Sequence, residues 1–158
     1  MTAPETFDQT CTVSTLRALE QFAEVPEAQL EWLISRGSCA IHEEGEQVFK
    51  PGDPIDALQI MLNGRVRYYT MQQGNQRQLG EFAAPFIAGT LPYSRLREAT
   101  GYGMTIERTR VLNVHRDHFP EMIKEHYELT AALVHHMTNR VRNFTVFQQQ
   151  NEKLMSLG

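Results

Sequence analysis

Between Cys39 and Val114 apolar residues fall at alternate positions, and turn signals interrupt them at short intervals, in Pro51-Gly-Asp-Pro54, Asn63-Gly64 and Gln73-Gly74-Asn75. A period of two puts one set of side chains on each face of an extended chain, whereas a helix needs apolar residues three and four apart. The middle of the chain is therefore expected to form many short antiparallel strands, giving a fold that is mostly β with flanking helices. The sharpest local signal is residues 57–62, then Asn63-Gly64, then residues 65–70. Asn-Gly supplies the positive φ angles of a two-residue turn, which predicts a β-hairpin there.

Both ends read differently. Residues 12–22 and, after Pro26, residues 27–34 carry apolar side chains three and four apart, predicting two short helices against the core. After Phe119-Pro120 no strand signal recurs up to Gly158. Pro120 suits the first turn of a helix, capped from the neighbourhood of Asp117. From Leu133, steps of four and three pick out Leu133, Met137, Arg140, Phe144, Phe147, Asn151 and Leu154, a coiled-coil seam with two polar interruptions. Packing back on the strands is one use for that stripe. Because the helix outruns so small a core, pairing with a second copy through Leu133, Met137, Phe144, Phe147, Asn151 and Leu154 is the expectation, with Asn151 fixing register. The expected divisions are a helical segment over 1–36, a roll of strands over 37–119 and a long helix over 120–158.

At 158 residues the chain is the size of one ordinary domain. Its net charge of −4 and pI near 5.9 give no overall positive field toward nucleic acid or an acidic membrane. The basic residues come in pairs, such as Arg108 with Arg110 and Arg140 with Arg142, so direct nucleic-acid binding is not expected. No apolar run approaches the roughly 20 residues needed to cross a bilayer. Residues 1–10 carry acids and no base ahead of an apolar stretch, which argues against a secretory or transit signal and predicts a cytoplasmic address. In that compartment Cys11 and Cys39, which lack CxxC spacing, are expected to be reduced and buried. His115 and His118 are three apart and His135 and His136 adjacent, but nothing nearby completes a four-ligand set, so no metal is expected. No Gly-x-Ser-x-Gly elbow occurs, and Ser94 lies between Tyr93 and Arg95, so no catalytic residue is assigned.

Two helices, short strands with glycine turns, then a long helix is an order that resembles the cyclic-nucleotide-binding domain of the Crp/Fnr type. Glu46-Gln-Val-Phe-Lys-Pro-Gly-Asp53 is similar to that family's strand and turn before its first hairpin, and the segment from Ala57 to Val66 to its apolar strand, glycine turn and strand. The resemblance, over about residues 16–134, implies a β-roll (a double-stranded jelly roll) followed by a dimerisation helix.

It also implies a ligand site. The family's phosphate cassette reads Gly-Glu-Leu, a few residues, then Pro-Arg-Ser/Thr-Ala; backbone N–H groups and the arginine hold a cyclic phosphate and the glutamate accepts from a ribose hydroxyl. Gly89-Thr90-Leu91 takes the first position, with Phe86 as the aromatic before it, while Gly80-Glu81-Phe82 comes too early and is assigned to a strand. The implied ligand-binding residues are Gly89, Thr90, Leu91, Tyr93, Ser94, Arg95 and Arg97. Thr90 replaces the glutamate, which counts against standard cAMP or cGMP and leaves another small anionic ligand open. An Arg95 or Arg97 turned inward would need a counter-anion, with Glu98 one source; turned to solvent it needs none.

Residues 148–158 resemble the segment leading into the phosphoacceptor helix of sensor histidine kinases. The resemblance implies the regulatory region of such a kinase, with no catalysis in this chain. Two alternatives are a ligand-free structural dimerisation domain and the effector domain of a Crp-like transcription factor.

Overall fold

The computed structural model describes residues 10–92, 94 and 98–139. The chain enters through a short helix α1, Val13–Leu16, a 3-10 turn, Glu20–Phe22, and a longer helix α2, Glu27–Arg36. Thr12 caps α1 in a reciprocal box with Thr15, satisfying amides that a first turn leaves without partners.

Eight strands come next among the described residues: β1 Ser38–His42, β2 Gln47–Phe49, β3 Ala57–Asn63, β4 Arg65–Gln72, β5 Asn75–Ala83, β6 Phe86–Gly89, β7 Tyr102–Thr105 and β8 Thr109–His115. They pair antiparallel in two four-stranded sheets, ordered β1-β8-β3-β6 and β2-β7-β4-β5. The alternation of the sequence is thus realised as a β-roll, as expected.

The hairpin expected at Asn63-Gly64 does not form. β3 pairs with β6 and β8, while β4 pairs with β5 and β7, so the two strands flanking Gly64 belong to opposite sheets. Gly64 is a corner between sheets: its φ is +103°, and a Cβ there would lie 2.6 Å from Thr109 Cα. Asn-Gly encodes the positive φ but not the partner of the next strand, which the two buried faces decide. The actual two-residue hairpin lies at Gln73-Gly74, both with positive φ, where Gln72 faces Asn75.

The first sheet is two-faced. On β3 Leu58 and Ile60 are fully buried, and with Ile87 of β6 and Leu112 and Val114 of β8 they meet Leu16, Leu19, Phe22, Leu30 and Leu33 of the N-terminal helical segment. After β8 a 3-10 turn, Arg116–His118, leads into α3, Phe119–Glu125, with Pro120 in its first turn as expected but without a side-chain cap from Asp117. The expected single helix is broken at His126, whose φ of −130° and ψ of 73° end α3. A second helix, α4, begins at residue 127 and is described to residue 139. Among the described residues no helix is long and apolar enough to cross a membrane.

Leu129 and Leu133 of α4 are fully buried in the same core, with Met137 packed against it. Leu133 therefore docks the helix on its own roll and is not open to a partner; Arg140, Phe144, Phe147, Asn151 and Leu154 of the expected seam lie outside the described residues. Arg36 of α2 pairs with Glu121 of α3 at 3.0 Å, and Gln29 accepts from the Leu129 amide, which ties both C-terminal helices to α2.

Cys11 and Cys39 are joined in a disulfide, with Cα atoms 5.8 Å apart, against the expectation of two thiols. Sequence separation hid the pairing. Cys39 lies opposite Leu112 in the β1–β8 register, on the face that holds the helices, which is where the segment before α1 arrives.

Two substitutions separate the corner from an open turn. Gly74 also has positive φ but nothing lies within 4 Å of its added Cβ, so Gly74→Ala should cost about 1 kcal/mol. Gly64→Ala meets the same backbone penalty plus the Thr109 overlap and should cost about 3 kcal/mol or more by denaturant titration. Leu133→Ala should lower unfolding stability by about 2–5 kcal/mol at any protein concentration, as a core truncation does; a loss appearing only through a monomer–dimer equilibrium would show the residue in an intermolecular seam.

Candidate functional site

Between the two sheets lies a cavity of about 390 Å3. The first sheet lines it with the residues that alternate with its core positions: Ala57, Gln59 and Met61 of β3, Phe86 and Ala88 of β6, and Thr109 and Val111 of β8. The second sheet contributes Val48, Phe49, Val66, Tyr68 and Phe82, and His42, Gly89 and residues 53–56 and 98–100 complete the lining. The Gly52 and Ala99 amides bond to the Ala99 and Asp53 carbonyls, at 2.9 and 2.8 Å, so these two segments are pinned to each other.

One wall is aromatic. Phe49 and Tyr68 have ring centroids 6.0 Å apart, Tyr68 and Phe82 6.3 Å, and Phe82 and Phe86 4.7 Å, a continuous row suited to a planar group. The Tyr68 hydroxyl pairs with Thr100 Oγ1 at 2.9 Å. Sequence reasoning misses this row because its members come from four strands. Its signal is the alternate placement of Val66 and Tyr68, with Phe82 opposite Val66.

The polar groups are mostly committed. Asp53 accepts from the Lys50 amide at 3.0 Å, and Asp56 lies 3.7 Å from His115. His42 meets Glu46 at 3.1 Å, and that hydrogen bond is the main reason the Glu46 carboxyl titrates below its usual range. Among the described lining residues there is no lysine or arginine, while Asp53, Asp56 and Glu98 are acidic.

Of the implied cassette, Gly89 ends β6 at the cavity. Its φ is +77°, and a Cβ would overlap the Ala57 carbonyl oxygen and lie 3.1 Å from the Gln59 amide, so only glycine lets β6 approach β3 here. The Thr90 amide donates to the Ala57 carbonyl at 2.9 Å, and Thr90 is buried. Leu91 joins the hydrophobic core. Neither Thr90 nor Leu91 is among the lining residues. The Ser94 amide donates to the Leu91 carbonyl, making a turn. Tyr93, Arg95 and Arg97 lie outside the described residues. Gly80-Glu81-Phe82 is in β5, as expected. His115 ends β8, and no group of three or more His, Cys, Asp or Glu among the described residues is arranged to hold a metal ion.

A two-sheet roll with a cavity between its sheets, and helices packed on the back of one sheet, defines the architecture. The family model for the cyclic nucleotide-binding domain matches residues 41–126, and the chain belongs to that family. Among solved structures it is similar to the catabolite activator protein of Thermus thermophilus, at 19% identity and TM-score 0.71, over 84% of this chain and 62% of that one. It is also similar to the sensor domain of the transcriptional regulator DNR from Pseudomonas aeruginosa, at 15% identity and TM-score 0.67, over 84% and 89%. A third likeness, at 17% identity and TM-score 0.58, is to the regulatory domain of Toxoplasma gondii PKA with cAMP, over 69% and 42%. At these identities the structures speak for the fold. No curated protein sequence matches the chain.

Acid should weaken the fold through its surface carboxylates. Hydrogen bonds from His42, Arg36 and Gln29 hold Glu46, Glu121 and Glu128 below the ordinary glutamate range. A carboxylate with a depressed folded-state pKa stabilises above its unfolded value and loses that contribution as pH falls through the folded one. The contribution of these three carboxylates to the melting temperature should therefore be fully present above about pH 5 and be lost progressively below about pH 4.3, the ordinary glutamate value. Glu121→Gln should make that loss smaller.

Proposed function

We propose that this chain is a ligand-sensing regulatory module: a small molecule in the roll cavity shifts the first sheet, and α4 carries the shift to a second copy and to a downstream domain. The observation that carries the reading is the two-faced sheet. Ala57, Gln59, Met61, Thr109 and Val111 meet the cavity, while Leu58, Ile60, Leu112 and Val114 meet the core that holds Leu129 and Leu133 of α4. A ligand that moves these strands acts on the helix through close-packed side chains that have few positions to choose from. The chain has no catalytic role in this reading, and it acts in the cytoplasm.

Within that reading the ligand is a cyclic nucleotide or another small anion held by the segment from Gly89 through Tyr93, Ser94, Arg95 and Arg97. Family membership and the close approach at Gly89 support this placement. Thr90 in place of a carboxylate argues for an anion other than cAMP or cGMP. Pairing of two copies would use Phe144, Phe147, Asn151 and Leu154, the part of the apolar stripe that follows the core-bound Leu133 and Met137.

The downstream domain in this reading is a histidine kinase, on the strength of residues 148–158. A second reading, the effector domain of a Crp-like transcription factor, is favoured by the likeness to the sensor domain of the transcriptional regulator DNR and to the Thermus catabolite activator protein, of which 62% is covered.

Thermal unfolding with cAMP, cGMP, cyclic dinucleotides and inorganic phosphate tests the ligand. At about 100 times its dissociation constant a ligand should add roughly 2.7 kcal/mol. Arg95→Ala or Arg97→Ala should abolish the shift. No shift with any of the four would leave a structural dimerisation domain.

A further inference from the structure

We propose that Cys11–Cys39 is a thiol–disulfide exchange site, and that its redox state sets how firmly the N-terminal segment holds α4 on the roll. The bond ties the residue just before the α1 cap to β1, an edge strand of the first sheet. Cys11 is buried and Cys39 half-buried, so of the two ends it is Cys39 that we assign to attack by a small dithiol.

What the bond secures reaches both the roll and α4. Beside it, the buried Arg110 guanidinium of β8 donates to the Thr10 carbonyl, holding the start of the segment across the sheet. Ten residues on, Gln21 Nε2 donates to His136 Nδ1 of α4 at 3.3 Å, and Leu16, Leu19 and Phe22 share one core with Leu129 and Leu133. The segment is thus a strap, fastened at Cys11 and Arg110 and lying against the output helix. Opening the disulfide removes the covalent constraint from one end of the strap and leaves hydrogen bonds and packed side chains to hold α4.

The reaction needs a dithiol reductant. One of its thiolates attacks the Cys39 sulfur, the bond to Cys11 breaks, and Cys11 leaves as a thiolate that takes a proton from water. The second thiol of the reductant attacks the mixed disulfide, releasing Cys39 as a thiol and closing the reductant into its own disulfide. Two electrons and two protons pass to the chain. Reoxidation by a disulfide-bearing oxidant runs the same steps backwards.

The test uses the full chain, oxidised with diamide and then treated or not with dithiothreitol. Mass spectrometry after alkylation should find no reactive thiol in the oxidised form and two after reduction. Hydrogen exchange at residues 127–139 should accelerate several-fold on reduction, alongside residues 10–25. A Cys11→Ala/Cys39→Ala double variant should exchange like the reduced chain and ignore dithiothreitol; should it fail to fold, the two forms of the unaltered chain, with far-UV circular dichroism to confirm that both are folded, decide the matter. Alkylatable thiols remaining after diamide, or equal exchange at 127–139 in both forms, would overturn the proposal. None of these outcomes depends on a ligand in the cavity.

Discussion

Everything in this molecule is arranged about a sheet that is apolar on both sides. A strand presents successive side chains to opposite faces, and a β-roll of this size can bury both faces only if something covers the outer one. Here the outer cover is helical: Leu16, Leu19 and Phe22 from the start of the chain, Leu30 and Leu33 from α2, Leu129 and Leu133 from its far end. The inner face meets the second sheet across a cavity that the two sheets do not fill. Remove the helical cover and Leu58, Ile60, Ile87, Leu112 and Val114 face water, at about 1.5–3 kcal/mol for each such side chain. The helices are therefore part of the roll's folding, and whatever moves them is felt in the sheet.

That dependence explains which parts of the fold were legible in the sequence. Period two between Cys39 and Val114 is a local signal and was realised, as was the helix after Pro26; the pattern over 12–22 gave only the four-residue α1 and a 3-10 turn, and the helix expected after Pro120 is broken at His126. What the sequence could not carry was pairing. Asn63-Gly64 has the chemistry of a tight hairpin, yet β3 already finds β6 and β8 beside it, and Gly64 turns the chain onto the other sheet instead. The disulfide is the same kind of case: Cys11 and Cys39 meet because β1 lies on β8 and the N-terminal segment lies on both.

The candidate site shows the same division. Gly89 was legible through the resemblance to the family's cassette, whereas the close approach that requires a glycine there is to Ala57 and Gln59 of another strand and shows only once the strands are paired. The aromatic row of Phe49, Tyr68, Phe82 and Phe86 was not, since four strands from two sheets must assemble before the rings touch. Leu133 was legible as an apolar helix position, but its partner was not: the stripe that suggests another chain also serves the chain's own core, and only burial separates the two.

Strand β8 gives this architecture a further property. Thr109 and Val111 look into the cavity, while Arg110, Leu112 and Val114 look out toward the strap and the helices. Two surroundings are thus interleaved along one short strand, Thr109 and Val111 facing the cavity and Arg110, Leu112 and Val114 facing the helical cover. Because neighbours on a strand share no face, a substitution on one side leaves the side chains of the other side in place. A change at Thr109 or Val111 thus alters the cavity wall, and one at Leu112 or Val114 the helical cover, within the span of a single strand.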